Sequence, residues 1–268
     1  MEIVFHGVRG SVPVGSPLMD RYGGSTTCLS MQLDATSHLV LDCGTGLRGF
    51  EDHIGTEARH FTVLLSHYHW DHLMGLPFFS PLYEPEATFD FYGSPWESHT
   101  VEEGVAGAFE PPWFPVPLSA TAAAKNYLAV PDVPWQVGPL TISAARLHHP
   151  QGVTAYRIDT PTGSVVFATD VERGEKESDE RLATLAAGAD VLIHDAQYSP
   201  DDYDDHRGWG HSTWQDAVAA AKDADISHLV LSSHDPQRTD EDVDRLLDEA
   251  RQHFPNTDAA QVGMAIDV

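Results

Sequence analysis

The densest group of chemically active side chains is the run HYHWDH at positions 67–72. Four of its six residues can bind a transition metal, because imidazole suits zinc, iron or copper and a carboxylate suits a hard divalent ion. In an extended segment, alternation places His67, His69 and Asp71 on one side, and His72 adds a ligand from the next position. The run therefore predicts a metal site, and the competing interpretation is a polar, solvated loop.

The elements that must position these ligands are β-like apolar runs. Residues 61–65 precede the His-rich run and predict a buried strand. Three later runs, 140–144, 165–168 and 229–231, are followed by His148-His149, Asp170 and His234. In open α/β sheets, ligands bind outside the carboxyl ends of strands. We therefore expect these residues to meet at one edge of a sheet, although capping of the following acidic segment is an alternative role for Asp170.

The HYHWDH run resembles the His-x-His-x-Asp-His signature of the metallo-β-lactamase superfamily. That resemblance implies an α/β fold, a four-layer αββα sandwich, with residues 1–268 forming a single domain. It also implies two divalent metal ions at one edge of the sandwich, with zinc foremost and manganese or iron as alternatives.

The resemblance further implies how the ligands divide between the two ions. Family members carry a ligand directly before a proline such as Pro150, which favours His149 over His148. The implied ligands of the first ion are His67, His69 and His149, those of the second are Asp71, His72 and His234, and Asp170 bridges the two. An Asp at the bridging position, where true β-lactamases carry Cys, indicates phosphodiester or thioester chemistry.

Two further motifs match the family. The segment LDCGTG at 41–46 resembles its Asp-x-Gly-x-Gly element, in which Asp42 would orient a metal-bound imidazole. The alternative is that Asp42 caps the turn. The segments VLIHDA at 191–196 and GWGHST at 208–213 resemble the tRNase Z branch, which implies that Asp195 orients His211 and that His211 protonates the leaving oxygen. Asp71 is also assigned to the catalytic set.

Local signals also predict structure around these motifs. Ser212 and Gln215 have capping-box spacing, which predicts a helix from Thr213 to Lys222. Arg9 lies in a Gly-rich loop and is either a phosphate contact or a surface ion-pair partner. Cys28 and Cys43 lie in apolar contexts and are expected to be buried free thiols.

The charge is the second informative property of the chain. Its 268 residues include 41 acidic and 15 basic ones, for a formal net charge of −26. Nucleic-acid binders show a basic face, and tRNase Z proteins carry a basic arm that is missing here, so a nucleic-acid partner is not expected. Asp-rich, Lys-poor surfaces are typical of salt-adapted proteins, which predicts a halophilic protein. A plain acidic protein is the alternative.

Composition also bears on location and assembly. There is no apolar run of bilayer length and no signal-peptide pattern, and the two Cys give no disulfide framework, so we expect a cytoplasmic protein without a membrane partner. The Pro- and Trp-rich segment 81–139 is the least regular part, interrupted by a helical pattern over residues 96–109. Its extended loop at 110–115 is either a lid or a contact in a possible homodimer.

Together these observations predict a binuclear metal-dependent phosphodiesterase that hydrolyses small, cyclic phosphodiesters, with a hydroxide between the two ions as the nucleophile. Three alternatives stay open: a tRNase Z-like ribonuclease, a thioester or lactone hydrolase of the glyoxalase II type, and a non-catalytic metal-containing sensor or scaffold.

Overall fold

Two seven-stranded mixed sheets face each other in a computed structural model that describes residues 1–268. The first sheet has the order β14-β1-β2-β3-β4-β5-β6 and the second has the order β13-β12-β11-β10-β9-β8-β7. The strands of the first sheet are β1 (Glu2–Gly7), β2 (Cys28–Gln32), β3 (Ser37–Leu41), β4 (His60–Leu64), β5 (Thr88–Gly93), β6 (Ala124–Ala129) and β14 (Ala265–Asp267). Those of the second are β7 (Trp135–Val137), β8 (Leu140–Leu147), β9 (Val153–Asp159), β10 (Ser164–Ala168), β11 (Val191–Asp195), β12 (His228–Ser232) and β13 (Thr257–Ala259).

Helices cover the outer face of each sheet. The six α-helices are α1 (Leu47–Glu51), α2 (Val101–Ala106), α3 (Lys176–Ala186), α4 (Pro200–His206), α5 (Trp214–Asp223) and α6 (Asp240–His253). One apolar core, with Phe5 and Ile142 among its members, lies between the sheets. A second core packs α1 and α2 on the first sheet, and a third packs α3, α5 and α6 on the second. The layers are therefore αββα, as predicted.

The strand directions explain why so many candidate residues reach one edge. Strands β3 to β6 are mutually parallel, as are β10 to β13. The carboxyl ends of parallel strands meet on the same side of a sheet, so the segments that follow them share that edge. The backbone of Arg9 joins the two halves there, because it forms isolated bridges with both Thr26 and His234.

Two predicted helix boundaries differ from the structure. The capping box of α5 is formed by Thr213 and Asp216, one residue later than predicted, because Ser212 turns inward and donates to the Val171 carbonyl oxygen. In the segment 96–109, α2 begins only after Thr100, which forms its own capping box with Glu103. The residues before Thr100 form a turn in which Trp96 stacks on His99.

Other features of the fold agree with the sequence. Cys28 and Cys43 are buried free thiols, as predicted. No helix combines the length and hydrophobicity that crossing a bilayer requires. The extended loop at 110–115 lies beside an apolar surface pocket of about 250 Å³ that Trp70, Phe78 and Trp113 line. Whether that loop acts as a lid or as a dimer contact stays a prediction.

Candidate metal centre

The His-rich run leaves β4 as an irregular loop that ends in a short 3-10 turn, Trp70–His72. This turn buries Asp71 and His72 and leaves Trp70 60% exposed between His69 and Asp71. His67 is buried and His69 is half-buried. The change from extended to turned backbone therefore aims all four predicted ligands of the run towards the interior of the sheet edge.

Three imidazoles form the first group of the cluster. Nε2 of His149 lies 3.2 Å from Nδ1 of His69, and the ring centroid of His67 lies 4.4 Å from that of His69. One nitrogen from each of the three rings falls within 4.8 Å of the others. His148 is exposed and stays outside the group. The structure thus brings together the three residues predicted for the first ion.

A second group contains the carboxylates. Nε2 of His72 lies 3.1 Å from Oδ2 of Asp170 and 3.2 Å from Oδ2 of Asp71. The same Asp170 oxygen lies 3.8 Å from Nε2 of His67, which belongs to the first group. Asp170 therefore stands between the two groups, which is the position predicted for a bridging ligand.

Each imidazole has a hydrogen-bond partner on the nitrogen that points away from the cluster. Nδ1 of His72 pairs with Oδ2 of Asp42 at 2.7 Å, and Nδ1 of His149 pairs with the Gly210 carbonyl oxygen at 2.8 Å. Nε2 of His69 pairs with Oε1 of Gln151 at 3.0 Å. These contacts fix the orientation of each ring and determine which of its two nitrogens faces the cluster.

Sequence reasoning found one of these orienting groups and missed the others. Asp42 also accepts from the backbone N–H and hydroxyl of Ser66, so it orders the start of the loop and not just its own turn. Gln151 was missed, although its position two residues after His149 was a weak local signal. Gly210 acts through its backbone, which leaves no signature in the sequence.

The electrostatics separate the histidines into two kinds. Burial lowers the pKa of His67 well below its ordinary value, and it lowers that of His149 to about 4. Burial also acts against protonation of His72, but the carboxylates of Asp170, Asp71 and Asp42 outweigh it and raise its pKa well above the ordinary value. The three carboxylates around His72 therefore favour a positive charge at the centre of the cluster.

The cluster fits divalent cations. Nε2 of His67 is buried without a hydrogen-bond partner, which is costly unless something else satisfies it. The donors are imidazole nitrogens and carboxylate oxygens, a set that zinc and other first-row divalent ions accept. An ion among them would satisfy the orphaned nitrogen and neutralise the buried carboxylates.

His211 and Asp195 form a pair beside this cluster. Nδ1 of His211 lies 2.7 Å from Oδ2 of Asp195, and the other carboxylate oxygen accepts from the backbone N–H of Ser212. Burial alone would lower the pKa of His211, but Asp195 and Asp170 raise it to about 9. Atoms of Asp170, Asp195 and His211 lie within 4.8 Å of one another. The two carboxylates therefore favour the protonated form of His211.

His234, the predicted seventh ligand, is placed differently. Its Nε2 lies 2.8 Å from the Ala260 carbonyl oxygen, and its ring meets the edge of Tyr22 at 5.5 Å. It belongs to none of the ligand groups. The φ of Ser233 is +57°, and the backbone of His234 forms the bridge with Arg9. The role of His234 as a ligand stays a prediction.

The surface ion-pair role considered for Arg9 is wrong, because its side chain is fully buried. Its role as a phosphate contact stays a prediction. Nε donates to the Gly23 carbonyl oxygen, and Nη1 donates to those of Asp235 and Arg238. Arg9 therefore ties the connection between β1 and β2 to the loop between β12 and α6, a structural role that spacing along the sequence did not reveal.

A cavity of about 360 Å³ opens onto the cluster. Its lining contains candidate ligands, aromatic residues and neutral polar residues: Ser11, His69, Asp71, His149, Asp170, Gln197, Tyr198, His206, Trp209, His211, Asp235, Pro236 and Gln237. No Lys or Arg is among them. A negatively charged substrate in this cavity would meet cations only at the cluster and at His211.

Comparison with known proteins shows which proteins this chain resembles. Residues 38–234 match the family described as the beta-lactamase superfamily domain. A ribonuclease Z of Brevibacillus brevis is 38% identical over 104 residues, which is 37% of this chain and 31% of that protein. The chain thus matches about a third of that relative's length. A ribonuclease Z of Bradyrhizobium sp. strain ORS 278 is 26% identical over 310 residues, 96% of each chain.

Among solved structures, the metallo-β-lactamase fold protein YhfI from Bacillus subtilis superposes with a TM-score of 0.75. Its sequence is 22% identical, and the match covers 99% of this chain and 98% of that one. The similarity extends along the whole αββα sandwich.

Proposed function

From the premise that this chain belongs to the beta-lactamase superfamily, we propose that it is a metal-dependent hydrolase, and specifically a phosphodiesterase acting on small phosphodiesters, including cyclic ones. The observation that carries the proposal is the His211–Asp195 pair beside the candidate ligands. Cleavage of a phosphodiester leaves an alkoxide, which is a poor leaving group without a proton. A histidine that a carboxylate orients next to the cluster can supply that proton.

Different residues of the chain have different roles in the proposed reaction. Candidate ligands from both groups would hold two divalent ions, zinc foremost, which when bound lower the pKa of water and polarise a phosphoryl oxygen. Asp195 holds Nδ1 of His211, so Nε2 carries the transferable proton. Asp71 accepts from the backbone N–H of Ser11 at 2.8 Å, which fixes its carboxylate at the cavity wall.

The size and charge of the cavity favour a small substrate. Its volume of about 360 Å³ is near the lower end of the ~300–1,000 Å³ typical of small-molecule sites. A polyanion needs Lys and Arg to neutralise its phosphates. The cavity lining has none, and the chain carries a net charge of −26. One phosphodiester group can instead be neutralised at the cluster alone.

A ribonuclease of the tRNase Z type is the second candidate, because the similarity to a ribonuclease Z extends over 96% of both chains. That similarity runs against the expectation that nucleic acid is not a partner. The two candidates share the cluster and the His211–Asp195 pair, so they differ in substrate and not in chemistry. The charge distribution is the reason to rank the small substrate first.

The deciding experiment compares kcat/KM of the zinc-loaded protein for cyclic nucleotides, bis-p-nitrophenyl phosphate and precursor tRNA. We expect turnover of the small phosphodiesters and poor cleavage of tRNA. The His67→Ala variant, which loses a candidate ligand, is the control for contaminating activity. Efficient cleavage of tRNA at one position would promote the ribonuclease, and no hydrolysis of any phosphodiester would overturn the proposed function.

A further inference from the structure

Three aromatic rings line one side of the catalytic cavity, a surface we call the aromatic wall: the exposed Trp209, the half-buried His206 and Tyr198, which is buried behind His206. The ring of His206 stacks on Tyr198 at 4.5 Å and 23°, and it meets Trp209 at 4.9 Å and 81°. Tyr198 in turn meets His211 edge-on at 5.9 Å. The aromatic wall therefore continues directly from the group that would protonate the leaving oxygen.

Trp209 is held on a fixed loop although its ring contributes little to the core. It is 61% exposed and lies between Gly208 and Gly210, whose φ angles are +86° and +92°. The backbone N–H groups of both glycines donate to the buried Glu172, at 2.7 and 2.8 Å. A side chain on Gly210 would place Cβ 2.2 Å from Nδ1 of His149, so the loop packs directly against a candidate ligand.

The other two rings of the aromatic wall are fixed by hydrogen bonds. Nδ1 of His206 lies 2.7 Å from the Asp202 carbonyl oxygen. The amide of Gln197 donates to the Tyr198 hydroxyl at 3.3 Å and to the Ser11 hydroxyl at 3.3 Å. Rings that are ordered before a ligand arrives lose little freedom on binding, which favours stacking.

We propose that the aromatic wall is a binding subsite for the base of a nucleotide, so that the substrate class is a nucleotide phosphodiester. This inference rests on the proposed function, because it names the substrate of the same site. A base is planar and uncharged, and its faces stack on aromatic side chains. Ser11 and Gln237, which also line the cavity, are neutral polar groups that suit a base edge better than a further phosphate.

Equilibrium binding to the full-length, zinc-loaded protein tests the subsite without turnover. AMP and ribose phosphate carry the same phosphate group, and only AMP has a base. We expect AMP to bind about 5- to 150-fold more tightly, the range for one base stacked on an aromatic side chain. Trp209→Ala should reduce that preference severalfold and leave ribose phosphate binding unchanged, whereas Trp209→Phe should retain most of it.

Trp113→Ala is the matched control, because Trp113 is 71% exposed and lines the separate apolar pocket beside Trp70. It should change neither affinity. Thermal melts and zinc content of each variant separate loss of the ring from loss of the fold. Equal binding of AMP and ribose phosphate by the unaltered protein, or equal weakening of both by Trp209→Ala, would overturn the subsite.

The proposed phosphodiesterase activity and the proposed base subsite can be refuted independently. If bis-p-nitrophenyl phosphate is hydrolysed but AMP is not preferred, the phosphodiesterase stands and the base subsite falls. If AMP binding depends on Trp209 but no phosphodiester is cleaved, the subsite stands and the proposed function falls.

Discussion

Replacing His211 with Ala should slow hydrolysis in proportion to how much the leaving group needs a proton. In the structure, Asp195 holds Nδ1 of His211 at 2.7 Å, and the pKa of the imidazole is raised to about 9. Both carboxylates, Asp195 and Asp170, favour the protonated form of the imidazole. Loss of a positioned general acid typically costs about 10²–10⁴ in rate, or roughly 2.7–5.5 kcal/mol of barrier. We expect a loss of that size in kcat with a cyclic nucleotide.

The assay measures kcat for His211→Ala on a cyclic nucleotide and on bis-p-nitrophenyl phosphate. The p-nitrophenolate ion leaves without protonation, so its loss should stay within about tenfold. Asp195→Asn should show the same selectivity with a smaller loss, about 10- to 100-fold, because the orienting acceptor is weakened but the imidazole remains.

His148→Ala is the control for removing a nearby histidine, because His148 is exposed and stays outside the cluster. Its kinetics should match those of the unaltered protein. Equal losses for His211→Ala on both substrates, with zinc content unchanged, would show that His211 does not donate the proton.

Three further predictions concern metals, salt and pH. Elemental analysis after reloading should give two divalent ions per chain, and recovery of at most one would contradict the two-group arrangement of the candidate ligands. The melting temperature should rise from low salt to molar KCl. The acidic residues behind the net charge of −26 repel one another, and molar salt screens this repulsion by shortening the Debye length to about 3 Å. A melting temperature that does not change with salt would contradict the halophilic prediction and indicate an ordinary acidic protein. Burial lowers the pKa of His6 to about 4, so the unfolded chain binds a proton at His6 more readily than the folded chain does. The stability that neutral His6 contributes above pH 6.5 is therefore lost as the pH falls towards 4. Between pH 8 and pH 5 that loss should be roughly 1–2 kcal/mol, at ~1.4 kcal/mol per pKa unit. Urea unfolding of His6→Gln at both pH values should show a correspondingly smaller decline in the free energy of unfolding. A decline equal to that of the unaltered protein would exclude His6 as the source.

The sequence determined the parts of the site that depend on short-range patterns. Four possible ligands directly after a strand marked the metal site, although the run turns at Trp70–His72 and does not alternate as an extended segment. The apolar runs before His149, Asp170 and Asp195 placed those residues at strand ends. Parallel strands end at a common edge, so the sequence also predicted that these residues would meet. The αββα layers followed from the same resemblance that gave the ligands.

Tertiary structure alone decided which way individual side chains point. From its sequence context Arg9 is a polar loop residue. Its side chain, however, donates hydrogen bonds to the backbone around Gly23 and Asp235–Arg238, which are far apart in the chain. His234 follows a strand as predicted, and its Nε2 lies 2.8 Å from the carbonyl oxygen of Ala260, which belongs to a distant part of the chain. No local pattern encodes these contacts, because each depends on where elements far apart in the sequence come to rest.

The same limit explains why the groups around the candidate ligands were only partly predicted. Asp42 was found because a carboxylate after a strand is a visible signal. Gln151 and the Gly210 carbonyl oxygen orient His69 and His149 just as directly, but one is a neutral side chain in a turn and the other is backbone. Such contacts are set by packing geometry, which only the folded chain defines.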